Sequence, residues 1–273
     1  MTSIPLRPGG VSGEATDRSG PPAGAHVAVE DRYRYKYLIA IAVTLAAVLE
    51  LIDTSIVNVA IPHMMGNLGA TLDEVAWVST GYIVANVIVL PITSWLSDRF
   101  GRRNYYTGSI LLFTLASFFC GAARSLEGLV LWRVIQGVGG GALISTAQAI
   151  LFDVFPLRER ATAMAIFGMG VMVGPTLGPT LGGWITDNYS WPWIFYINLP
   201  LGLLAAVLTW RSVPEPAHLV RRSRMDCAGR ALLILGIGSL QVVLERGESK
   251  DWFESREIVT EAMVAGLGLA GFV

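Results

Sequence analysis

The chain has 273 residues, 53% of them hydrophobic and only 15% charged, and a formal net charge of −1. Soluble globular proteins carry about 25% charged residues, so this composition, with a mean hydropathy of +0.54, excludes an ordinary soluble enzyme and points to a membrane. The near-zero net charge gives no reason to expect a nucleic-acid partner.

Residues 1–36 open as MTSIPLRPGG and are rich in Pro, Gly and Ala. They lack the apolar core of a signal peptide and are expected to form a disordered cytoplasmic tail. Eight apolar runs follow, at about 37–60, 75–96, 105–123, 126–150, 162–186, 192–210, 227–245 and 258–273, each near the roughly 20 residues that cross hydrocarbon. The last reaches Val273, so the chain reads as cut inside a helix. The expected fold is an all-α membrane protein: a six-helix unit over 37–210, a basic cytoplasmic loop at 211–226, and two further spans over 227–273.

Span one carries Glu50 and Asp53 within an otherwise apolar helix. An ionisable group at bilayer depth costs roughly 2.5–3.5 kcal/mol on insertion scales, so it is kept only where it faces a watery cavity or a partner. The loop after span two runs Ser94-Trp95-Leu96-Ser97-Asp98-Arg99-Phe100-Gly101-Arg102-Arg103. It is a tight Gly-containing turn with an acid at a helix end and guanidiniums beside it.

Span four holds Arg133, three residues before Gln136 and therefore on the same helix face. A glycine run, Gly137 and Gly139 to Gly141, follows and allows close backbone approach. Arg133 lies about five residues, roughly 8 Å of rise, from Gly128, so a snorkelling arginine competes with an inward one. Gln136 on the same face favours the inward position. Counted from the ends of their helices, Asp53 is about 13 Å below Pro62 and Arg133 about 10 Å below Leu126. The two opposite charges therefore sit within about 3 Å in depth by helix rise. Span five contains Gly170, Gly174-Pro175, Gly178-Pro179 and Gly182-Gly183, a pattern tolerable only where neighbouring helices satisfy the freed backbone groups.

Fifteen of the 20 basic residues fall on one side of an alternating path: the tail, the loops after spans two and four, and the 211–230 stretch. This positive-inside bias places the N-terminus in the cytoplasm. Cys120 and Cys227 define no disulfide framework. His26, His63 and His218 are scattered, with no CxxC or HExxH, so neither a metal nor a cofactor is expected. An intramembrane enzyme would need clustered acids or a nucleophile with a base, and neither is present.

These motifs carry a family resemblance. The turn at 94–103 resembles the major facilitator signature G-xxx-D-[RK]-x-G-R-[RK], with Ser94 in place of the first Gly. Arg133-xx-Gln136-Gly137 resembles that superfamily's R-xx-Q-G motif. Leu51-Ile52-Asp53-Thr54-Ser55-Ile56-Val57-Asn58-Val59-Ala60-Ile61-Pro62 is similar to the span-one signature of the fourteen-span drug:proton antiporters. The span-five glycines and prolines resemble the antiporter motif of drug exporters. With Trp191–Pro200, Met225–Gly229, Ile237–Gly247 and Asp251–Phe253, the whole of 37–273 resembles the EmrB/QacA type.

The resemblance implies a major facilitator fold whose first six spans form two inverted three-helix repeats, followed by two extra helices. It implies proton-coupled export of lipophilic drugs across a bacterial inner membrane, driven by the proton gradient. Such exporters work with a periplasmic adaptor and an outer-membrane channel. Asp53, Arg133 and Glu50 would couple protons. Asn58, Tyr82, Asn86, Trp132 and Gln136 are candidates for the substrate cavity, although packing is the commoner role for a residue such as Trp132. Asp98, Arg99, Gly101, Arg102 and Arg103 would latch the outward-facing state.

For Glu50, where a neutral residue is usual, two readings stay open. It either alters proton stoichiometry and favours cationic drugs, or it faces another helix and hydrogen-bonds there. The alternatives in function are a specific metabolite carrier of the same fold and a non-transporting half.

Overall fold

The computed structural model describes residues 35–215 and 227–272. The N-terminal tail up to residue 34 and the centre of the basic loop, including Arg221, Arg222 and Arg224, lie outside the described residues. Among those described, the secondary structure is helical. α1 spans Lys36–Leu68, α2 Leu72–Val75, α3 Trp77–Phe100, α4 Arg102–Ala122, α5 Leu126–Gly140, α6 Leu143–Val154, α7 Arg160–Asn188, α8 Trp193–Tyr196, α9 Asn198–Ser212, α10 Cys227–Arg246 and α11 Arg256–Phe272. α2 with α3, α5 with α6, and α8 with α9 are broken halves of single crossings. Counted that way, seven helices among the described residues are long and apolar enough to cross a membrane. The eighth expected span appears as α11, with 17 residues.

Local chemistry explains the element ends. Thr71 caps α2 in a reciprocal capping box with Glu74, satisfying two otherwise orphaned donors. Ser125 accepts from the Gly128 N–H at the start of α5. Span one runs past the expected residue 60 to Leu68, because Pro62 is accommodated within the helix and the chain stops only at Gly69 in a left-handed conformation. At the turn between α3 and α4, Gly101 has φ +85°, and an added Cβ would run into Glu215. Only glycine suits that position.

The packing follows an exchange rule. Span one packs along span five and against span six. Span four packs along span two and against span three, and spans three and six pack on each other. Swapping one with four, two with five and three with six exchanges the two pairs of span one with those of span four and returns the three–six pair to itself, as two inverted three-helix repeats require.

Many large apolar side chains lie on the outside, among them Leu111, Leu115, Phe118, Met169, Met172 and Leu177. This is the surface expected of helices solvated by hydrocarbon. The charged turns lie at the ends of the bundle. There Lys36 pairs with Glu159 at 2.6 Å, Arg102 pairs with Asp153, and Arg103 lies 3.4 Å from Glu215.

Glycines set how close the helices come. In span five, Gly170, Gly174, Gly178 and Gly182 recur every fourth residue, and all face span one, against Thr44, Leu51, Ser55 and Ile56. Pro175 and Pro179 point outward and are exposed, so their missing N–H groups and ring bulk do not disturb that seam. In span four, Gly137 sits on the Tyr82 carbonyl, Gly140 on the Tyr82 hydroxyl and Gly141 on the Asn86 carbonyl. These contacts bring the backbone of span two onto that of span four.

α10 is fixed along span two at both ends. Arg246 lies 4.5 Å from the centre of the Trp77 ring and pairs with Asp73, which also holds Lys250 at 3.0 Å. At the other end, Arg230 lies 5.9 Å from the Trp95 ring, and α11 then packs on α10.

Gly137→Ala should lower the melting temperature of the detergent-solubilised protein, by an overpacking cost of about 1–3 kcal/mol. Gly168→Ala, where nothing lies within 4 Å of the added methyl, should leave it unchanged or raised. Equal effects of the two substitutions would contradict the packing described for span four.

Candidate functional site

Asp53 and Arg133 meet in the middle of the six-helix unit, with Arg133 Nη1 donating to Asp53 Oδ2 at 2.6 Å. The depth match read from helix rise is thus realised as a direct contact. Their surroundings differ from the expectation of a wet cavity, because Asp53 is 0% and Arg133 1% exposed. Gln136 of span four and Asn198 of span six supply Asp53 with the hydrogen bonds that water would otherwise give, and Ser117 of span three accepts from both.

The hydrogen bonds of this network are defined atom by atom, with Asn198 Oδ1 left without a partner. Asp53 Oδ1 accepts from Gln136 Nε2 at 3.0 Å and from Asn198 Nδ2 at 2.6 Å. Gln136 Oε1 accepts from Arg133 Nη1 at 2.7 Å. Ser117 Oγ accepts from Asn198 at 2.9 Å and from Gln136 at 3.2 Å, and donates to the Phe195 carbonyl at 3.0 Å. Arg133 Nε donates to the Val78 carbonyl at 3.1 Å, and its guanidinium lies 4.1 Å from the centre of the Tyr82 ring. Burying two charges costs several kcal/mol each unless geometry and further hydrogen bonds compensate, and here both conditions are met.

Arg133 and Gln136, on one face of α5, both reach Asp53, so the inward reading of Arg133 holds and the snorkelling one does not. Ser117 and Asn198 were not anticipated from the sequence. Part of the signal was available, since Asn198 is an amide inside the apolar run Phe195-Tyr196-Ile197-Asn198-Leu199, and a polar group there also needs a hydrogen-bond partner.

Glu50 is buried one turn before Asp53, and its Oε1 accepts from Asn86 Nδ2 at 2.7 Å. It therefore faces span two and hydrogen-bonds there. Tyr82 is also buried, between the Arg133 guanidinium and Gly140. The other cavity candidates are dispersed. Asn58 is exposed and accepts from Ser79 Oγ at 3.2 Å. Trp132 stacks on Phe119 of α4, with ring centres 4.2 Å apart, which is a packing role.

At the arginine-rich end, Arg102 of the turn motif pairs with Asp153, at the end of span four. Asp98 and Arg102 line one small cavity of about 200 Å³ with Ser97, Ser145 and Thr146. Arg103 lies 4.6 Å from the Trp210 ring, and Arg99 5.9 Å from Trp95. The interhelical ion pair at this turn is thus made by Arg102 and an acid that sequence reading did not single out.

Comparison with known proteins agrees with this architecture. The model of the Major Facilitator Superfamily matches residues 43–273. The chain is 43% identical over 228 residues to the multidrug export protein EmrB of Escherichia coli K12, covering 84% of this chain and 44% of that protein. It is 40% identical over 235 residues to the fatty acid resistance protein FarB of Neisseria gonorrhoeae, covering 86% and 46%. The chain therefore spans a little under half the length of these curated relatives.

Among solved structures, the POT family transporter PepTSo superposes with a TM-score of 0.62 at 17% identity, covering 88% of this chain and 52% of that one. A D-xylose-proton symporter superposes with a TM-score of 0.60 at 17% identity, covering 87% and 67%. At these identities the likeness shows the fold alone. The family and these relatives are transporters, not enzymes.

If the network is as described, Arg133→Met leaves a buried carboxylate unpaired and should cost about 3–5 kcal/mol of stability. Adding Asp53→Asn should restore most of that loss in thermal melts. Losses that simply add would show that the two side chains do not interact.

From the match over residues 43–273 and the six-helix packing around a paired acid and base, this multi-pass membrane chain belongs to the Major Facilitator Superfamily.

Proposed function

We propose that this chain forms the proton-coupling bundle of a drug:proton antiporter that exports lipophilic or amphipathic compounds by alternating access. The observation that carries the reading is the buried Asp53–Arg133 pair, closed by Gln136 and Asn198 on facing helices. A proton on Asp53 removes the negative charge that holds Arg133. Of its present hydrogen-bond acceptors, the guanidinium then keeps the neutral ones, Gln136 Oε1 and the Val78 carbonyl. Because charge-assisted hydrogen bonds are about twice as strong as neutral ones, protonation loosens a contact that ties spans one, four and six together. Helix packing and proton occupancy thereby become one equilibrium, and cargo that favours the deprotonated packing exchanges against protons.

Export rather than uptake is supported by the glycine seam of span five and by the names of the curated relatives, which are export and resistance proteins. The energy source is the proton gradient, with no bound cofactor. In the same reading the chain sits in a bacterial inner membrane with its N-terminus in the cytoplasm. The arginine-rich turn at Asp98–Arg103, through the Arg102–Asp153 pair, latches the cytoplasmic end when the outside is open. A periplasmic adaptor and an outer-membrane channel complete the route, as the resemblance to EmrB-type exporters implies.

Asp53→Asn should abolish drug uptake driven by the proton gradient in inverted vesicles, while the protein remains in the membrane at wild-type level. Drug accumulation that survives this change with its pH dependence intact would remove Asp53 from the coupling. The orientation has its own check: green fluorescent protein fused within 216–226 should fluoresce, and alkaline phosphatase should be active only when fused near Lys250. The reverse pattern would overturn the N-in topology.

A further inference from the structure

Charge counting around the central pair leaves one acid unexplained. Glu50 and Asp53 lie three residues apart on one helix and so on one face, and they are 5% and 0% exposed. The groups facing Glu50 come from three other spans. Span two contributes Asn86, whose amide donates to Oε1 at 2.7 Å, and Tyr82. Span three contributes Tyr106, whose hydroxyl is committed to the Val43 carbonyl at 3.0 Å. Span four contributes the main chain of Ile144, while its Arg133 guanidinium lies on the face of the Tyr82 ring, beside Asp53.

Among the described residues, Arg133 is the cationic side chain that touches Tyr82 and Asp53, and it already serves Asp53. One guanidinium cannot neutralise two buried carboxylates. Glu50 Oε2 and the Tyr82 hydroxyl make no close hydrogen bond, with the Ile144 main chain and the Thr54 hydroxyl beside these two side chains. Tyr82 and Asn86 converge where Gly140 has no side chain, since a Cβ there would lie 2.5 Å from the Tyr82 hydroxyl and 3.2 Å from Asn86 Nδ2. Tyr82 thus has its ring face on Arg133 and its hydroxyl at the Asn86–Glu50 group.

We propose that Glu50 is a second proton-binding carboxyl that shares the one guanidinium of Arg133 with Asp53, Tyr82 being the surface along which the guanidinium changes partner. In the state described here, Arg133 is paired with the Asp53 carboxylate and Glu50 holds a proton. When Asp53 takes up a proton, Arg133 is released and turns to Glu50. Glu50 gives its proton to water and becomes the carboxylate of the new pair. One proton is gained at Asp53 and one lost at Glu50, so the interior stays neutral throughout, with one guanidinium, one carboxylate and one carboxylic acid. The cation–ring contact with Tyr82 persists through the change and avoids a fully unpaired guanidinium. This deepens the coupling role proposed for Asp53 and Arg133 and rests on that reading for its significance, while its test needs no transport.

Infrared spectroscopy of the purified, detergent-solubilised protein reads protonated carboxyl groups directly. At neutral pH the wild type should show a buried carboxylic acid band that Glu50→Gln removes. Asp53→Asn should lose the same band, because Arg133 then pairs with an ionised Glu50. Asp53→Ser, which keeps a polar but non-ionisable atom at this position, serves as the second variant should the amide fail to fold. A wild-type spectrum that Glu50→Gln leaves unchanged would overturn the proposal, as would a Glu50 band that persists in the Asp53 variants. Loss of vesicle transport in Asp53→Asn with the Glu50 band retained would sink this inference alone, leaving the antiport reading in place.

Discussion

A carboxylate and a guanidinium buried together in hydrocarbon constrain nearly everything else in this bundle. Neither Asp53 nor Arg133 is tolerable alone at that depth, and together they are tolerable only with their remaining lone pairs and donors filled. Span four therefore supplies Gln136 beside Arg133, span three Ser117, and span six Asn198, each making at least two hydrogen bonds within the network. The helices that contribute these groups must approach closely. The glycines facing Tyr82 and Asn86 in span four, and those facing span one in span five, permit this. A buried ion pair is weak evidence for stability, and a neutral core would serve a purely structural bundle as well. A titratable pair makes sense where one partner changes its charge.

The exchange symmetry of the six spans gives that pair its place. Spans one and four are counterparts under the swap, and each carries one of the two charges. Their outer faces pack on spans five and two along the glycine seams, so the charges meet from opposite halves of an inverted repeat. The added helix α10 is held against span two by Arg246 on Trp77 and Arg230 on Trp95. Span two also carries Tyr82 and Asn86, so the extra helices are fastened to an element that touches the charged centre.

Much of this was legible in the residues. Apolar runs located the spans, because hydrocarbon thickness fixes their length. Helix rise alone placed Asp53 opposite Arg133, and the three-residue spacing put Gln136 on the same face. What escaped was set by tertiary contact. Asn198 and Ser117 close the network from spans three and six, and no spacing rule within one helix relates them to Asp53. Trp132 was a cavity candidate by position, and the structure stacks it on Phe119. Span one continues past Pro62 because a proline inside a long helix need not end it. The ion pair of the arginine-rich turn uses Asp153, which lies some fifty residues downstream, beyond the reach of a local motif.

The central claim is that proton occupancy of the Asp53–Arg133 pair and cargo binding are linked. Calorimetric titration of the purified protein with a lipophilic drug, repeated in buffers of different ionisation enthalpy, measures that linkage most directly. In Glu50→Gln, where no compensating proton exchanges at Glu50, the account requires the apparent binding enthalpy to vary with the buffer, reporting protons released from Asp53, and this dependence to vanish when Asp53→Asn is added. Binding of the same drug to Glu50→Gln with an enthalpy independent of buffer would contradict it.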